Sequence, residues 1–343
     1  MDALKRIPNW PAALLLAFLF LVGCSEQKQA EIVSYTGLTM GTTFTVKWVA
    51  KPEQSMQNIQ SDITQALKEV NQTMSTYIKD SELSLFNQLP EGSSVNASAE
   101  LVDILLLSQR ISEESTGAFD VTVGPLVNLW GFGPDGRVIK APSDDVIANL
   151  RHRVGYKNLS VESENKKITK QADLYVDLSA IAKGYGVDVV ASVLEKHGIK
   201  DYLVEIGGEL RASGLKPNNA EWRIAIESPV TGEREVEKIL SISNTGIATS
   251  GDYRNYFEEN GIRYSHTIDP ATGKPITHKL ASVTVLRPTC AEADGLATAF
   301  MVMGEERAYE FAVKNKIDAF FIVKSDEGFK EYMTPGFDKR LVK

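Results

Sequence analysis

The chain has 343 residues, of which 43% are hydrophobic and 24% charged, an ordinary globular composition. A formal net charge of −8 argues against nucleic acid as a partner, because phosphate backbones are met by stripes of Lys and Arg. Two cysteines and four scattered histidines form no ligand cluster, which disfavours zinc.

Lys5 and Arg6 precede an apolar run from Pro11 to Val22 that is too short to span a bilayer comfortably. A basic start, a short apolar core and small residues at the end predict a secretory signal over 1–23. Its close, Leu21-Val22-Gly23-Cys24, resembles the lipobox of bacterial lipoproteins, which implies that Cys24 is acylated and becomes the first residue. Several acyl chains on one cysteine anchor stably where one does not. The expected location is therefore the periplasmic face of a bacterial membrane. Ser25 stands where the enterobacterial pattern for inner-membrane retention places Asp, which favours the outer membrane. Removal of the signal leaves about 320 residues, enough for one large domain or two moderate ones. Cys290 is then the one remaining free thiol, so no internal disulfide is expected and a packed core must supply stability.

Residues 24–34 are polar and predict a tether, leaving 35–343 as the folded part. Thr36 to Val49 alternates, with Phe44, Val46 and Trp48 on one face, and predicts a half-buried strand. Ile59, Ile63, Ala66, Leu67, Val70, Met74 and Tyr77 recur at helical spacing after Pro52. A second helix is expected from Ser98, a plausible N-cap, with Leu101, Ile104, Leu105 and Ile111 on its apolar face. Ser115 to Pro142 is Gly- and Pro-rich yet apolar, and suits neither a flexible linker nor a regular helix. Ser143 is expected to cap a short helix carrying Val146, Ile147, Leu150 and Val154. Strands are predicted at 159–161, 174–178, 202–206, 222–227, 239–243, 282–286, 319–323 and near Tyr332. Helices are predicted over 180–197, ending at Gly198, and over 291–303 and 306–314. This mixture lacks a strict βαβ rhythm, so the expected class is α+β.

Four stretches carry more chemistry than folding needs. They are Thr39-Met40-Gly41-Thr42-Thr43; Gly117-Ala118-Phe119-Asp120 with the Gly-Pro and Trp-Gly-Phe-Gly that follow; Val176-Asp177 through Asp188; and Ser265 to Gly273 paired with Ala291 to Thr298. In the third, a helix starting soon after Asp177 offers free N–H groups that suit phosphate oxygens, with Lys183 adding charge; Asp177 or Ser179 is equally suited to be a plain N-cap. Asp294 and Thr298 lie four apart on one helix face. Two oxygen donors so placed fit Mg²⁺, but spacing alone favours an acid at a helix start with a packed threonine. His266 suits a general base or a hydrogen-bonded core histidine. Asp269-Pro270-Ala271-Thr272-Gly273 is a good turn in its own right.

In order and spelling these segments resemble the ApbE family, the FAD:protein FMN transferases, over essentially the whole mature chain. The resemblance rests on Met40-Gly-Thr, Gly117-Ala-Phe-Asp-Val-Thr-Val-Gly-Pro-Leu, Val176-Asp-Leu-Ser-Ala-Ile-Ala-Lys-Gly-Tyr, His266-Thr-Ile-Asp-Pro-Ala-Thr-Gly and Ala293-Asp-Gly-Leu-Ala-Thr. It implies a two-lobed mixed fold with the flavin site in the cleft. FAD would be the donor, FMN would pass to a Ser or Thr hydroxyl of a partner protein, and AMP would leave. The implied partners are extracytoplasmic subunits of Nqr- and Rnf-type redox pumps. Met40, Tyr77, Ala118, Phe119, Asp120, Asp177, Lys183 and Ile268 would line the FAD site, and Mg²⁺ would sit on the Ala180 carbonyl, Asp294 and Thr298. Lys183 and the metal would neutralise diphosphate charge, with His266 as candidate base and Asp177 as its rival. Tyr77 resembles the transferase branch, where a ring packs on the flavin and limits water. Ser115-Thr116-Gly117-Ala118 looks like the start of an acceptor motif, but Phe119 replaces its last hydroxyl, so the segment is expected to serve the FAD site. An FAD pyrophosphatase giving FMN and AMP, or a flavin-binding lipoprotein without turnover, would use the same pocket.

Overall fold

The computed structural model describes residues 31–136, 138, 140–229, 236–252, 256–259 and 261–342. The expected signal segment, Cys24 and the first part of the tether lie outside the described residues. Strand β1 (Glu31–Thr39) occupies the remainder of that tether, pairing Glu31 with Ala50, so the folded part begins earlier than the polar composition suggests.

β1 and β2 (Thr42–Ala50) form a hairpin where one strand was expected. Met40 and Gly41 make its two-residue turn at φ 49° and 72°, the left-handed pair that matches the twist of flanking strands. The pairing sets Val33 opposite Trp48 and Tyr35 opposite Val46, so the inward set changes from odd to even positions at the turn, and the alternation at Phe44, Val46 and Trp48 is that of β2 alone. Helix α1 (Met56–Met74) buries Ile59, Ile63 and Leu67, and the chain leaves it before Tyr77. A short helix α2 (Glu82–Asn87) and strand β3 (Ser94–Asn96), neither expected, precede α3 (Ala99–Glu114). Ser98 caps α3 as expected, accepting from the Leu101 N–H at 3.2 Å. The Gly- and Pro-rich stretch holds the short helix α4 (Gly124–Leu129), and Ser143 precedes α5 (Asp144–Arg151) without a side-chain capping bond.

β3 pairs with β5 (Lys167–Lys170), which pairs with β4 (Leu159–Glu162). The strand expected at 174–178 is reduced to an isolated parallel bridge between Tyr175 and Val123, with the Asp177 N–H donating to the Val121 carbonyl at 2.7 Å. Leu174, Val176 and Leu178 are buried, and the Asn87 side chain pairs with Val176. Its amide donates to the Val176 carbonyl, and its carbonyl accepts from the Val176 N–H, each at 2.8 Å. Helix α6 (Ala182–Lys196) follows, and Gly198 at φ 73° closes its C-terminal end.

The remaining strands are β6 (Tyr202–Ile206), β7 (Glu209–Ser213), β8 (Trp222–Glu227), β9 (Val236–Ile242), β10 (Thr245–Gly251), β11 (Tyr256–Glu259), β12 (Ile262–Ser265), β13 (Ile268–Asp269), β14 (Lys274–Pro275), β15 (Leu280–Arg287), β16 (Asp318–Ser325) and β17 (Gly328–Met333). Helices α7 (Cys290–Met303), α8 (Glu305–Lys314) and α9 (Pro335–Asp338) complete the α+β fold. Eight strands form an antiparallel sheet in the order β1-β2-β6-β7-β10-β15-β16-β17. One face is helical: α1 and α6 cover Phe44, Val46, Trp48 and Val204, while α3, α7 and α8 cover Ala248, Val283, Val285 and Phe321. On the other face the β8–β9 ribbon and Phe337 cover Leu210, Ile247, Phe320 and Ile322. A satellite cluster of Leu126, Trp130, Ile147 and Ile268 lies beside Phe257 and Tyr264, whose rings stack 4.9 Å apart. Cys290 is buried as a free thiol. No helix among the described residues is long and apolar enough to cross a membrane.

Candidate functional site

A cavity of about 1000 Å³ opens beside the helical face of the sheet. Each element delivers a few residues to it. The β1–β2 turn supplies Met40, held at positive φ, a conformation uncommon outside Gly, Asn and Asp. The loop after α1 supplies Tyr77, which is 67% exposed at the rim. Burial, followed by the nearby charge of Asp177, raises the Tyr77 hydroxyl above its ordinary value.

The α3–α4 loop supplies Ala118, Phe119 and Asp120. The preceding Ser115 is fully buried, and its hydroxyl accepts from the Phe119 N–H at 3.1 Å. Asp120 accepts from the Thr122 N–H at 2.8 Å, the Thr122 hydroxyl at 2.6 Å and the Tyr156 N–H at 2.9 Å. Burial nonetheless raises its carboxyl above the ordinary range. These bonds make Asp120 a brace for the loop.

Asp177 and Ala180 line the cavity ahead of α6, and Lys183 lines it from that helix's first turn. Asp177 forms a local turn, accepting from the Ser179 N–H at 2.8 Å, and no side chain of its own segment caps α6. The helix N-terminus is answered across space: the Gly184 N–H donates to Asp294 Oδ2 at 3.0 Å. A continuing helix would send that N–H to the Ala180 carbonyl, so the bond to Asp294 frees the carbonyl from it. The anion at this helix end is thus a side chain of α7, where the bare segment suggested a phosphate.

Asp294 and Thr298 do share a face of α7, and both line the cavity. Asp294 is 3% exposed. Burial pushes its carboxyl up to about 7, against the pull of Lys183 and with the push of Glu209. Thr298 Oγ1 lies 3.5 Å from Ser250 Oγ. The Lys183 ammonium is bonded to Glu209 Oε1 at 2.6 Å. Burial works against that charge, but Asp294 and Glu209 outweigh it and raise the ammonium above its ordinary value.

His266 and Ile268 enter from the segment joining β12 to β14, with the His266 ring edge-on to Phe132 at 6.3 Å. The turn expected at Asp269 forms: Asp269 Oδ1 accepts from the Ala271 N–H at 2.9 Å, and its carbonyl accepts from the Gly273 N–H at 2.8 Å.

Met40, Tyr77, Ala118, Phe119, Asp120, Asp177, Ala180, Lys183, His266, Ile268, Asp294 and Thr298 therefore all line one cavity. Cys24 lies outside the described residues. Glu209, Thr249 and Ser250 also line the cavity and were missed. The available signal for Glu209 was the Gly207-Gly208 pair before it, a turn that brings an acid straight back off a buried strand.

Among the described residues the cavity wall holds the carboxylates Asp120, Asp177, Glu209 and Asp294 against one ammonium, that of Lys183. An oxygen-rich, net-negative wall admits a phosphate ester together with a cation. The Ala180 carbonyl, the Asp294 carboxylate and the Thr298 hydroxyl are oxygen donors of the type that a hard divalent cation takes.

Residues 40–321 match the model of the ApbE family. The chain is 48% identical to the FAD:protein FMN transferase of Vibrio cholerae serotype O1, over 98% of this chain and 99% of that one. Among solved structures, it resembles the flavin transferase ApbE from Vibrio cholerae at TM-score 0.85 and 47% identity, covering 91% of this chain and 100% of that one. It also resembles the apo flavinyl transferase ApbE of Pseudomonas stutzeri at TM-score 0.85 and 41% identity, covering 92% and 98%.

Proposed function

The chain belongs to the ApbE family, and from that membership we propose that it is an FAD:protein FMN transferase. The observation that carries the reading is the convergence of twelve residues, drawn from segments between Met40 and Thr298, on one cavity of flavin-nucleotide size. The relatives' names supply the donor and the kind of acceptor.

The reaction is a phosphoryl-type transfer. The acceptor Ser or Thr oxygen forms a bond to the FMN phosphorus, the diphosphate bond breaks, and AMP departs with the bridging oxygen. Mg²⁺ would be held by the Ala180 carbonyl, Asp294 and Thr298, and when bound it supplies charge neutralisation at the diphosphate. The protein's own contribution is placement. Lys183 presents a fixed ammonium to the phosphate oxygens. Met40, Ala118, Phe119 and Ile268 form apolar wall for the flavin, with Asp120 bracing the loop that carries two of them. Tyr77 at the rim would close over the ring and restrict water. His266 takes the proton of the acceptor hydroxyl. Asp177, whose Oδ1 accepts from the Ser179 N–H, is the rival base.

The acceptors are periplasm-facing subunits of Nqr- and Rnf-type redox pumps, and a lipid on Cys24 would keep the enzyme at that surface. The test is incubation with FAD, Mg²⁺ and such a subunit, read by fluorescence of the denatured acceptor. Covalent flavin on the acceptor with equimolar AMP supports the proposal. FMN and AMP released at the same rate without acceptor would make the chain a pyrophosphatase, and unchanged FAD would make it a binding protein.

A further inference from the structure

We infer that Glu209 is a positioning residue that holds Lys183 off Asp294 and so keeps that carboxylate available to a divalent cation. The inference rests on the proposed metal site at Ala180, Asp294 and Thr298.

The α6 N-terminus presents two donors to the same neighbourhood, the Gly184 N–H and the Lys183 ammonium. The first is committed to Asp294 Oδ2. If the second also settled on Asp294, an ammonium would occupy the charge that a cation needs. Lysine carries its charge on a flexible four-carbon stem, so its own conformation does not prevent this. In the structure the ammonium is drawn to Glu209, with Nζ 2.6 Å from Oε1.

Glu209 is built for that pull. It is 4% exposed and opens β7 directly after the Gly207–Gly208 turn, both glycines having positive φ. The turn lets the chain pass close to Lys183: a Cβ added at Gly207 would lie 3.4 Å from the Lys183 Cδ. Among the described residues no donor is bonded to the second carboxylate oxygen, Oε2, which is buried. One ammonium between two carboxylates leaves the trio net negative, and a divalent cation on Asp294 reverses that sign. The site then matches a diphosphate while Lys183 still faces it.

The test is Mn²⁺ titration of the full chain in detergent without FAD, with free Mn²⁺ followed by electron paramagnetic resonance. Glu209→Gln should weaken Mn²⁺ binding by about tenfold or more, the size expected when a partner behind a metal ligand is lost. Lys183→Met should bind at least as tightly as the parent, and Glu209→Gln combined with Lys183→Met should recover it, because no ammonium is left to compete. Parent-like binding by Glu209→Gln, or no recovery in the double variant, overturns the inference while leaving the metal site in place. No Mn²⁺ binding by the parent, or undiminished binding by Asp294→Asn, removes the metal site and the inference with it. Lys183→Met keeps the question decidable if Glu209→Gln does not fold, since weaker binding by that variant also overturns it.

Discussion

Gly184 shows how narrowly single residues are constrained beside the cavity. A Cβ there would lie 2.5 Å from the Cys290 carbonyl oxygen and 2.8 Å from both Ala291 Cα and Asp294 Cβ. Two of those atoms are backbone, so α7 itself would have to move. Gly184→Ala is expected to lower stability by about 1–3 kcal/mol, the range for overpacking a tight contact, read from the urea unfolding midpoint at unchanged slope. It should also loosen the Gly184–Asp294 bond. At this scale the sequence was informative about chemistry and silent about partnership. That Lys183, Asp294 and Thr298 share one cavity was legible from the family resemblance of their segments, while their spacing alone left the bland readings open. That Lys183 answers to Glu209 was not, because the two meet through a turn of the β6–β7 hairpin and no helical or strand period links them.

Between elements, the ends of α6 and α7 are capped reciprocally. Asp294 of α7 accepts from Gly184 near the start of α6, and Asp188 of α6 accepts from the Cys290 and Ala291 N–H groups at 3.0 and 2.9 Å at the start of α7. Two positive helix ends are therefore each compensated by an acid of the other helix. Helix extents were legible because their apolar periodicity and caps are local. The stretch from Leu174 to Leu178 was not, since its alternation is that of a strand while its partners are a single bridge to Val123, the Val121 carbonyl and the side chain of Asn87. The β1–β2 turn hid because the alternation read at Phe44, Val46 and Trp48 lies within β2, while the inward set of β1 falls on the odd positions Val33 and Tyr35. Met40 in that turn also touches α6, and a Cβ added at Gly186 would lie 2.8 Å from its terminal methyl. Met40→Gly relieves the positive φ and removes the cavity contact. The expected result is a stability change of less than about 1 kcal/mol with FAD bound roughly tenfold more weakly, by about 1.4 kcal/mol, measured by flavin fluorescence quenching.

Across the whole molecule, the antiparallel order of the eight-stranded sheet was beyond the sequence. β2 carries the β1–β2 hairpin to its place by pairing with β6 more than 150 residues later, and β10 reaches β15 across the whole β11–β14 segment. Such pairings depend on the edges left open by other elements, information that no local window holds. The α+β class was legible because it needs only the mixture of periods. The expected anchor acts at the same scale, since it concerns where the folded body resides. Cys24→Ala should move the protein from the membrane pellet to the soluble fraction after cell lysis, with transfer to a detergent-solubilised acceptor retained. Recovery of that variant in the pellet would refute the anchor.

The cavity draws on nearly every layer of the fold: the β1–β2 turn, α1, the α3–α4 loop, α6, β7, β10 and α7. No fragment of the chain can possess it. A ligand that binds there binds only the completed fold, so its affinity adds to the free energy of folding itself. At a ligand concentration one hundred times its dissociation constant, that contribution is about 2.7 kcal/mol. The donor nucleotide would therefore act as a chaperone in the thermodynamic sense, and the survival of the enzyme against proteases would track the supply of its own substrate.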